Sequence, residues 1–328
     1  MLKGPMNRSI HFRAAIFVTA LFALIAVPAA AAFAAPKPKN GPLVVVDLAG
    51  LGSKKVRTDV LAIPEKGKPK KLFSKPGLVG AVAISPDGKR FVFQAPASTG
   101  SLYVSPLKRP GKKIRISAAS ETKLPGDAVF SPDGKSIYFT TAVITGDPGN
   151  PLPGGPEFTT SLKQYFLASG KSRTIDFDAG TDFQLIDDIS PNGRILALSC
   201  RYEVEGKIMF LNLESGKQWF FKSKRPASLA SFSPDGKRIA FNSTSIPKYD
   251  IFVAKLKGTG LRRINPKGTL GIYPHFSPDG RKVAYAKSNG TSVKSLKVFN
   301  LKSGKTATIK APSPYAIPNQ WLPSTWNE

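Results

Sequence analysis

Short runs of alternating apolar and polar residues, rich in β-branched and aromatic side chains, fill most of the chain from Pro42 onward. "SLASF" (Ser228 to Phe232) and "RIAF" (Arg238 to Phe241) are two such runs, separated by "SPDGK". Period-two alternation predicts strands with one buried face. The residues between them suit a tight turn: Pro presets φ, Asp accepts backbone N–H bonds, and Gly adopts the left-handed conformation without steric cost. Strand, turn and strand together make a β-hairpin.

The hairpin recurs. "ISPDGKRFVF" starts at Ile84, "FSPDGKSIYF" at Phe130, "ISPNGRILAL" at Ile189 and "FSPDGRKVAY" at Phe276. The turn serines stand at 85, 131, 190, 233 and 277, giving spacings of 46, 59, 43 and 44. A second turn motif follows most hairpins: "LASGK" from Leu167, "LESGK" from Leu213, "LKSGK" from Leu301, and a looser "LKGTG" from Leu256. Each lies between strand-like runs such as "DIFVAKL" and "LKVFNL", so every repeat holds two hairpins. Four strands per forty-odd residues is the blade of a β-propeller.

The remainders at the two ends complement each other. "IPNQWLPST" aligns with "YPHFSPDG", placing Trp321 on Phe276, and predicts one innermost strand before the chain ends. "PLVVVDL" (Pro42 to Leu48) supplies a second strand, and "DVLAIPEKGKPKKLF" (Asp59 to Phe73) a third and fourth. The expected fold is therefore an all-β, six-bladed β-propeller with four-stranded antiparallel blades. Its sixth blade is closed by strands from both termini, with Trp321 between the last and first blades. Closure leaves no unpaired sheet edge at the junction.

These SPDG repeats resemble the TolB-type, WD40-like six-bladed propellers of bacterial envelope proteins, over nearly all of residues 41–328. The resemblance implies a binding or scaffold role, but TolB carries a further N-terminal domain and the related peptidases a hydrolase domain. This chain reads as a propeller alone.

Charge and the N-terminal segment change the picture next. Lys3, Arg8 and Arg13 precede the apolar run Ala14 to Val27, which is too short to span a bilayer, and "AFA" (Ala32 to Ala34) offers a cleavage site. Residues 1–34 are expected to be a secretory signal peptide, 35–41 a linker and 42–328 the propeller. No Cys lies near the cut, so no lipid anchor is expected and the location is periplasmic or secreted. The whole chain carries a net +27, and losing the three leader cations leaves +24. Such an excess favours anionic partners and opposes self-association. For an exported monomer these are an envelope protein and anionic envelope polymer or lipid, not nucleic acid. The single Cys, Cys200, has no internal partner and reads as a buried structural thiol.

Candidate chemistry is sparse. With His275 alone in the mature chain, a His-based metal site or a Ser-His-Asp triad has almost no material. No catalytic residue and no cofactor are expected. Asp188, Ser231, His275 and Gln320 occupy one repeat position on consecutive blades. Alternation places them near the mouth of the axial channel, and with Asp187 of the neighbouring acidic stretch they are the candidate binding residues. Asp176, Asp178 and Asp182 partly imitate a calcium loop, yet Gly180 replaces a carboxylate and no Glu closes the pattern. A solvated acidic patch is the favoured reading there, and calcium the alternative. About 15 extra residues within Val143 to Thr160, rich in Gly and Pro, read as a loop on that same face. The opposite face gathers the cations that follow both turn types: Lys89, Lys135, Arg194, Lys237 and Arg281 after the first, Lys171, Lys217 and Lys305 after the second. The functional reading is a non-catalytic, exported binding module. Its alternative is a small-molecule or glycan-processing enzyme, or a calcium-dependent binder, working at the channel mouth.

Overall fold

A computed structural model describes residues 40–51, 55–97, 99–144, 158–177, 184–200, 206–243 and 249–323. The proposed signal peptide, Asp178, Asp182 and most of the long loop lie outside these residues, as does the side chain of Cys200. No helix occurs among the described residues. The described residues begin with β1 (Asn40–Ala49), β2 (Arg57–Ile63) and β3 (Lys70–Pro76). Blade 1 follows as β4 (Gly80–Ile84), β5 (Arg90–Ala95), β6 (Ser101–Pro106) and β7 (Ile114–Ser117). Blade 2 comprises β8 (Lys123–Phe130), β9 (Ser136–Ile144), β10 (Phe158–Phe166) and β11 (Ser172–Ile175). Blade 3 comprises β12 (Gln184–Ile189), β13 (Ile195–Cys200), β14 (Ile208–Asn212) and β15 (Gln218–Phe220). Blade 4 runs through β16 (Ser228–Phe232), β17 (Arg238–Ser243), β18 (Asp250–Lys255) and β19 (Arg262–Arg263). Blade 5 runs through β20 (Leu270–Phe276), β21 (Lys282–Ser288), β22 (Val293–Asn300) and β23 (Thr306–Ile309), and β24 (Ala316–Pro323) is the last strand of the described residues.

Each blade is an antiparallel four-stranded sheet, and the last has the order β24-β1-β2-β3. Leu43 pairs with Trp321 and Val44 with Gln320, so the sixth blade joins both ends of the chain as expected. The six innermost strands contact one another in sequence around the ring, β24 returning to β4.

The turn motif works as its residues demand. In each of the five copies the serine hydroxyl donates to the Asp or Asn two residues on, at 2.5–2.7 Å. That side chain then accepts the N–H of the following cation, at 2.9–3.1 Å. The glycine of every copy sits at φ between 65° and 72°, where a Cβ is strained. A further backbone bond, repeated in every one of these blades, runs from the leucine opening the second turn to the carbonyl of that cation, as in Leu301 to Arg281 at 2.8 Å. Both turn types therefore share one face of the disk.

The apolar core is divided by junction. Six clusters of buried residues each join two neighbouring blades, such as Ala240, Ile251 and Val253 of blade 4 with Phe276, Val283 and Tyr285 of blade 5. Burial of this kind scales with apolar area and is the main force holding the ring. One expectation needs correcting. Trp321 packs with Leu43, Ala284, Ala286 and Leu296 between blades 5 and 6, and it is Leu322 that faces blade 1, against Val82, Ile84, Phe91 and Phe93. Alternation along β24 sends the two neighbours to opposite sides, and Trp321 takes the side that Phe276 takes in blade 5.

Candidate functional site

Every innermost strand carries a β-bulge or register shift, which in β4, β8, β12, β16 and β20 lies just before the turn. In three of them a non-glycine residue has positive φ: Ala81 at 49°, Leu229 at 55° and Tyr273 at 56°. The extra residue re-aims the side chains that follow it. The expected channel series does stand on consecutive blades, and each member reaches the backbone of the next blade. Asp188 accepts the N–H of Phe232 at 2.7 Å and of Ile189 at 2.8 Å, and the Ser231 hydroxyl. Ser231 Oγ in turn accepts the N–H of Phe276 at 3.2 Å. An imidazole N–H of His275 is directed at the Pro318 carbonyl. Gln320 makes a two-way clasp with Ile84, accepting its N–H at 2.8 Å and donating to its carbonyl at 3.1 Å.

A second tier lies beside the first. Asp187 accepts the Ser199 hydroxyl and the N–H of Ala230, the latter at 2.9 Å, and Ser199 accepts the N–H of Leu229 at 2.9 Å. Asn242 accepts from Tyr273 at 3.0 Å and donates to the Gly271 carbonyl at 2.8 Å. Gln94 donates to the Pro125 carbonyl at 2.7 Å. Ser199, Asn242 and Gln94 each stand nine residues after a turn serine, a regularity the sequence carries but which the turn motif overshadows.

Burial marks two of these groups. It pushes the Asp188 carboxyl up to about 7, against the Phe232 and Ile189 N–H bonds and the Ser231 hydroxyl, which favour the anion. It pulls the His275 imidazole down to about 4, against the bond to Pro318. Among the described residues no three His, Cys, Asp or Glu are grouped so as to hold a metal ion. Asp176 is exposed at the end of blade 2.

On the turn face, Lys89, Lys135, Lys171, Arg194, Lys217, Lys237, Arg281 and Lys305 are all exposed. Arg194 pairs with Glu214 at 3.1 Å, while the other seven have no carboxylate partner among the described residues. The turn aspartates are already engaged. Burial works against ionisation of Asp87, Asp235 and Asp279, but the serine hydroxyl and backbone N–H bonds outweigh it and hold these carboxyls below their usual range. A groove of about 800 Å³ opens here between blades 4 and 5, lined by Arg238, Arg281, Leu301, Lys302 and Ser303 among others. Another of about 670 Å³ lies where blade 3 meets blade 4, lined by Lys222, Lys224, Arg225 and Leu261 among others.

This ring of six closed blades is a β-propeller, and solved structures share the fold. No protein-family model and no curated protein sequence matches the chain. TolB from Acinetobacter baumannii is similar at 19% identity with a TM-score of 0.67, over 88% of this chain and 68% of that one. A chain of a nidogen/laminin complex gives 13% and 0.63, over 87% and 100%. An oligogalacturonate lyase in complex with manganese gives 14% and 0.55, over 79% and 72%. At such identities the likeness shows the fold alone, a six-bladed β-propeller similar to that of TolB.

Proposed function

We propose that the protein is an exported, non-catalytic binding module that engages anionic material of the cell envelope through its turn face. The observation carrying this reading is the ring of exposed cations, seven without a carboxylate partner among the described residues, held on one face by two turn families that repeat from blade to blade. Fields from like charges on one face add, and exposed charges are screened beyond about 8–10 Å at physiological salt. Association should therefore be steep in ionic strength. The opposite face is left for a protein partner, in keeping with the nidogen/laminin likeness.

The rival is a glycan-processing enzyme at the channel mouth, which draws on the oligogalacturonate lyase likeness. It would need Asp187, Asp188 and His275 free to act, whereas each is bonded to backbone of the neighbouring blade.

The test changes Lys89, Lys135, Lys171 and Lys217 together to Gln, leaving both grooves intact. Sedimentation with phosphatidylglycerol vesicles over a range of salt should show weaker binding and a flatter salt dependence than the parent, at an unchanged melting temperature. Parent-like binding at every salt concentration would reduce the cationic ring to a solubilising surface. The exported form should begin at Ala35, and N-terminal sequencing that finds Met1 on the envelope-located protein would remove the export claim.

A further inference from the structure

The groove between blades 4 and 5 differs from the other turn-face junctions in how its cations are held. Blade 4 sends two arginines across the junction, and each is fixed twice. Arg238 lies 5.4 Å over the Phe276 ring and donates to the Gly280 carbonyl at 3.3 Å. Arg262 lies 5.2 Å over the Phe299 ring and donates to the Leu301 carbonyl at 2.8 Å. Stacking and a backbone bond together hold a guanidinium plane in place, so less side-chain freedom remains to be lost when an anion binds.

Blade 5 then adds two cations that form no ion pair among the described residues. In blade 3 the corresponding positions hold Arg194 and Glu214, an ion pair at 3.1 Å. In blade 5 they hold Arg281 and Lys302, so a repulsive pair replaces an attractive one. Both are exposed and lack a carboxylate partner among the described residues. Arg238, Arg281 and Lys302 line the groove and Arg262 flanks it at Leu301, while Asp235 lies 3.9 Å from Arg238 and Asp279 is bonded to the Ser277 hydroxyl and the Arg281 N–H, so cations outnumber carboxylates at this junction.

Repeat comparison isolates this junction among the described residues. Between blades 1 and 2, Arg90 reaches the Gly134 carbonyl at 2.9 Å, but the remaining positions are Lys135 and Ala168. Between blades 3 and 4, Ile195 stands in place of Arg238. Between blades 5 and 6, Lys282 occupies that place and is paired with Glu65.

We infer that the groove between blades 4 and 5 binds a phosphate monoester carried on a sugar-sized body. A phosphate monoester brings a charge near −2 at neutral pH and three acceptor oxygens, which suit forked guanidinium donors and one ammonium. The groove's volume of about 800 Å³ exceeds what a bare phosphate fills, so room remains for the body that carries it. This inference rests on the turn face being the binding face, and it adds a single saturable site to the diffuse attraction of the ring.

Calorimetry on the purified full chain, with glucose 6-phosphate, glucose and inorganic phosphate as probes, tests it. Vesicles of phosphatidic acid beside phosphatidylglycerol distinguish a lipid headgroup from a soluble ester. Saturable binding of glucose 6-phosphate, tighter than inorganic phosphate and absent for glucose, is expected. Arg281→Gln with Lys302→Gln should weaken it at least tenfold, at an unchanged melting temperature. Lys222→Gln with Lys224→Gln, in the neighbouring groove, should leave it intact, and so should the four-lysine ring variant. A preference for phosphatidic acid lost only in the Arg281/Lys302 variant would support the same chemistry with a lipid source. Absence of both soluble and vesicle preference, or an equal loss in all three variants, would overturn the site. Loss of vesicle binding by the ring variant alone bears on the function proposed above and not on this groove.

Discussion

Asp188 and His275 should give the stability of this protein opposite dependences on pH that conceal one another. The Asp188 carboxyl is held at about 7 in the folded protein against 3.8 when free. Its folded form therefore binds more protons than its unfolded form, and the stability it adds in acid is lost as pH rises towards 7. The His275 imidazole is held at about 4 against 6.5. Its contribution is present above 6.5 and is lost as pH falls through 4. At 1.36 kcal/mol per pH unit these amount to ceilings of roughly 4 kcal/mol for Asp188 and roughly 3 kcal/mol for His275. Both side chains keep some exposure, and solvation by that route brings the actual values below the ceilings.

Between about pH 5 and 6.5 the two slopes have opposite signs and similar size, so the parent should be nearly flat. Removing either partner exposes the other. Asp188→Asn keeps an acceptor for the Phe232 N–H and should turn the flat profile into one that rises with pH. His275→Gln should give a profile that falls over the same window. The five carboxyls held below their usual range, those of Asp59, Asp87, Asp133, Asp235 and Asp279, add stability that is lost as pH falls through their unfolded value of 3.8, so the slopes are compared above about pH 5. Urea unfolding at a series of pH values, with each variant compared with the parent, reads the slopes directly. Two variants with the same slope as the parent would refute the assignment of either charge state.

The closure of the ring and the calcium alternative can be tested alongside. Leu322 is fully buried against blade 1, so Leu322→Ala should cost about 2–5 kcal/mol in chemical unfolding, and Trp321→Ala should fall at or below the low end of about 3–5 kcal/mol because that side chain is only partly buried. An unchanged midpoint for Leu322→Ala would mean that the sixth blade does not seal against the first. Millimolar calcium should leave the melting temperature where it is, and a rise abolished by Asp178→Asn would establish a calcium site.

How much of this was legible in the sequence follows from what each repeat position does. The turn residues are constrained by their own backbone, so Ser, Pro, Asp or Asn, and Gly recur and the hairpins can be counted without a structure. The closing blade was legible for the same reason: Pro42 to Leu48 and the strand around Trp321 each lack the partners the other supplies. The destination of Trp321 was not, because choosing between two neighbouring blades requires the handedness of the ring, which alternation alone does not carry. The channel series shows a second limit. Asp188, Ser231, His275 and Gln320 share a position but no chemistry, since a carboxylate, a hydroxyl, an imidazole and an amide can each meet a backbone group of the next blade. A position defined by what it must reach, and not by which residue reaches it, looks variable in sequence and is read as a lining. The bulge that aims it is equally quiet, since Ala81, Leu229 and Tyr273 all take positive φ there without a glycine to announce it. The groove between blades 4 and 5 reverses the case. There the repeat is conspicuous and the signal is its violation, a single change from Glu214 in "LESGK" to Lys302 in "LKSGK". That change turns an ion pair into two like charges beside two stacked arginines. In a molecule built by repetition, the places where the repeat pays an electrostatic cost with no structural return are where binding should be sought.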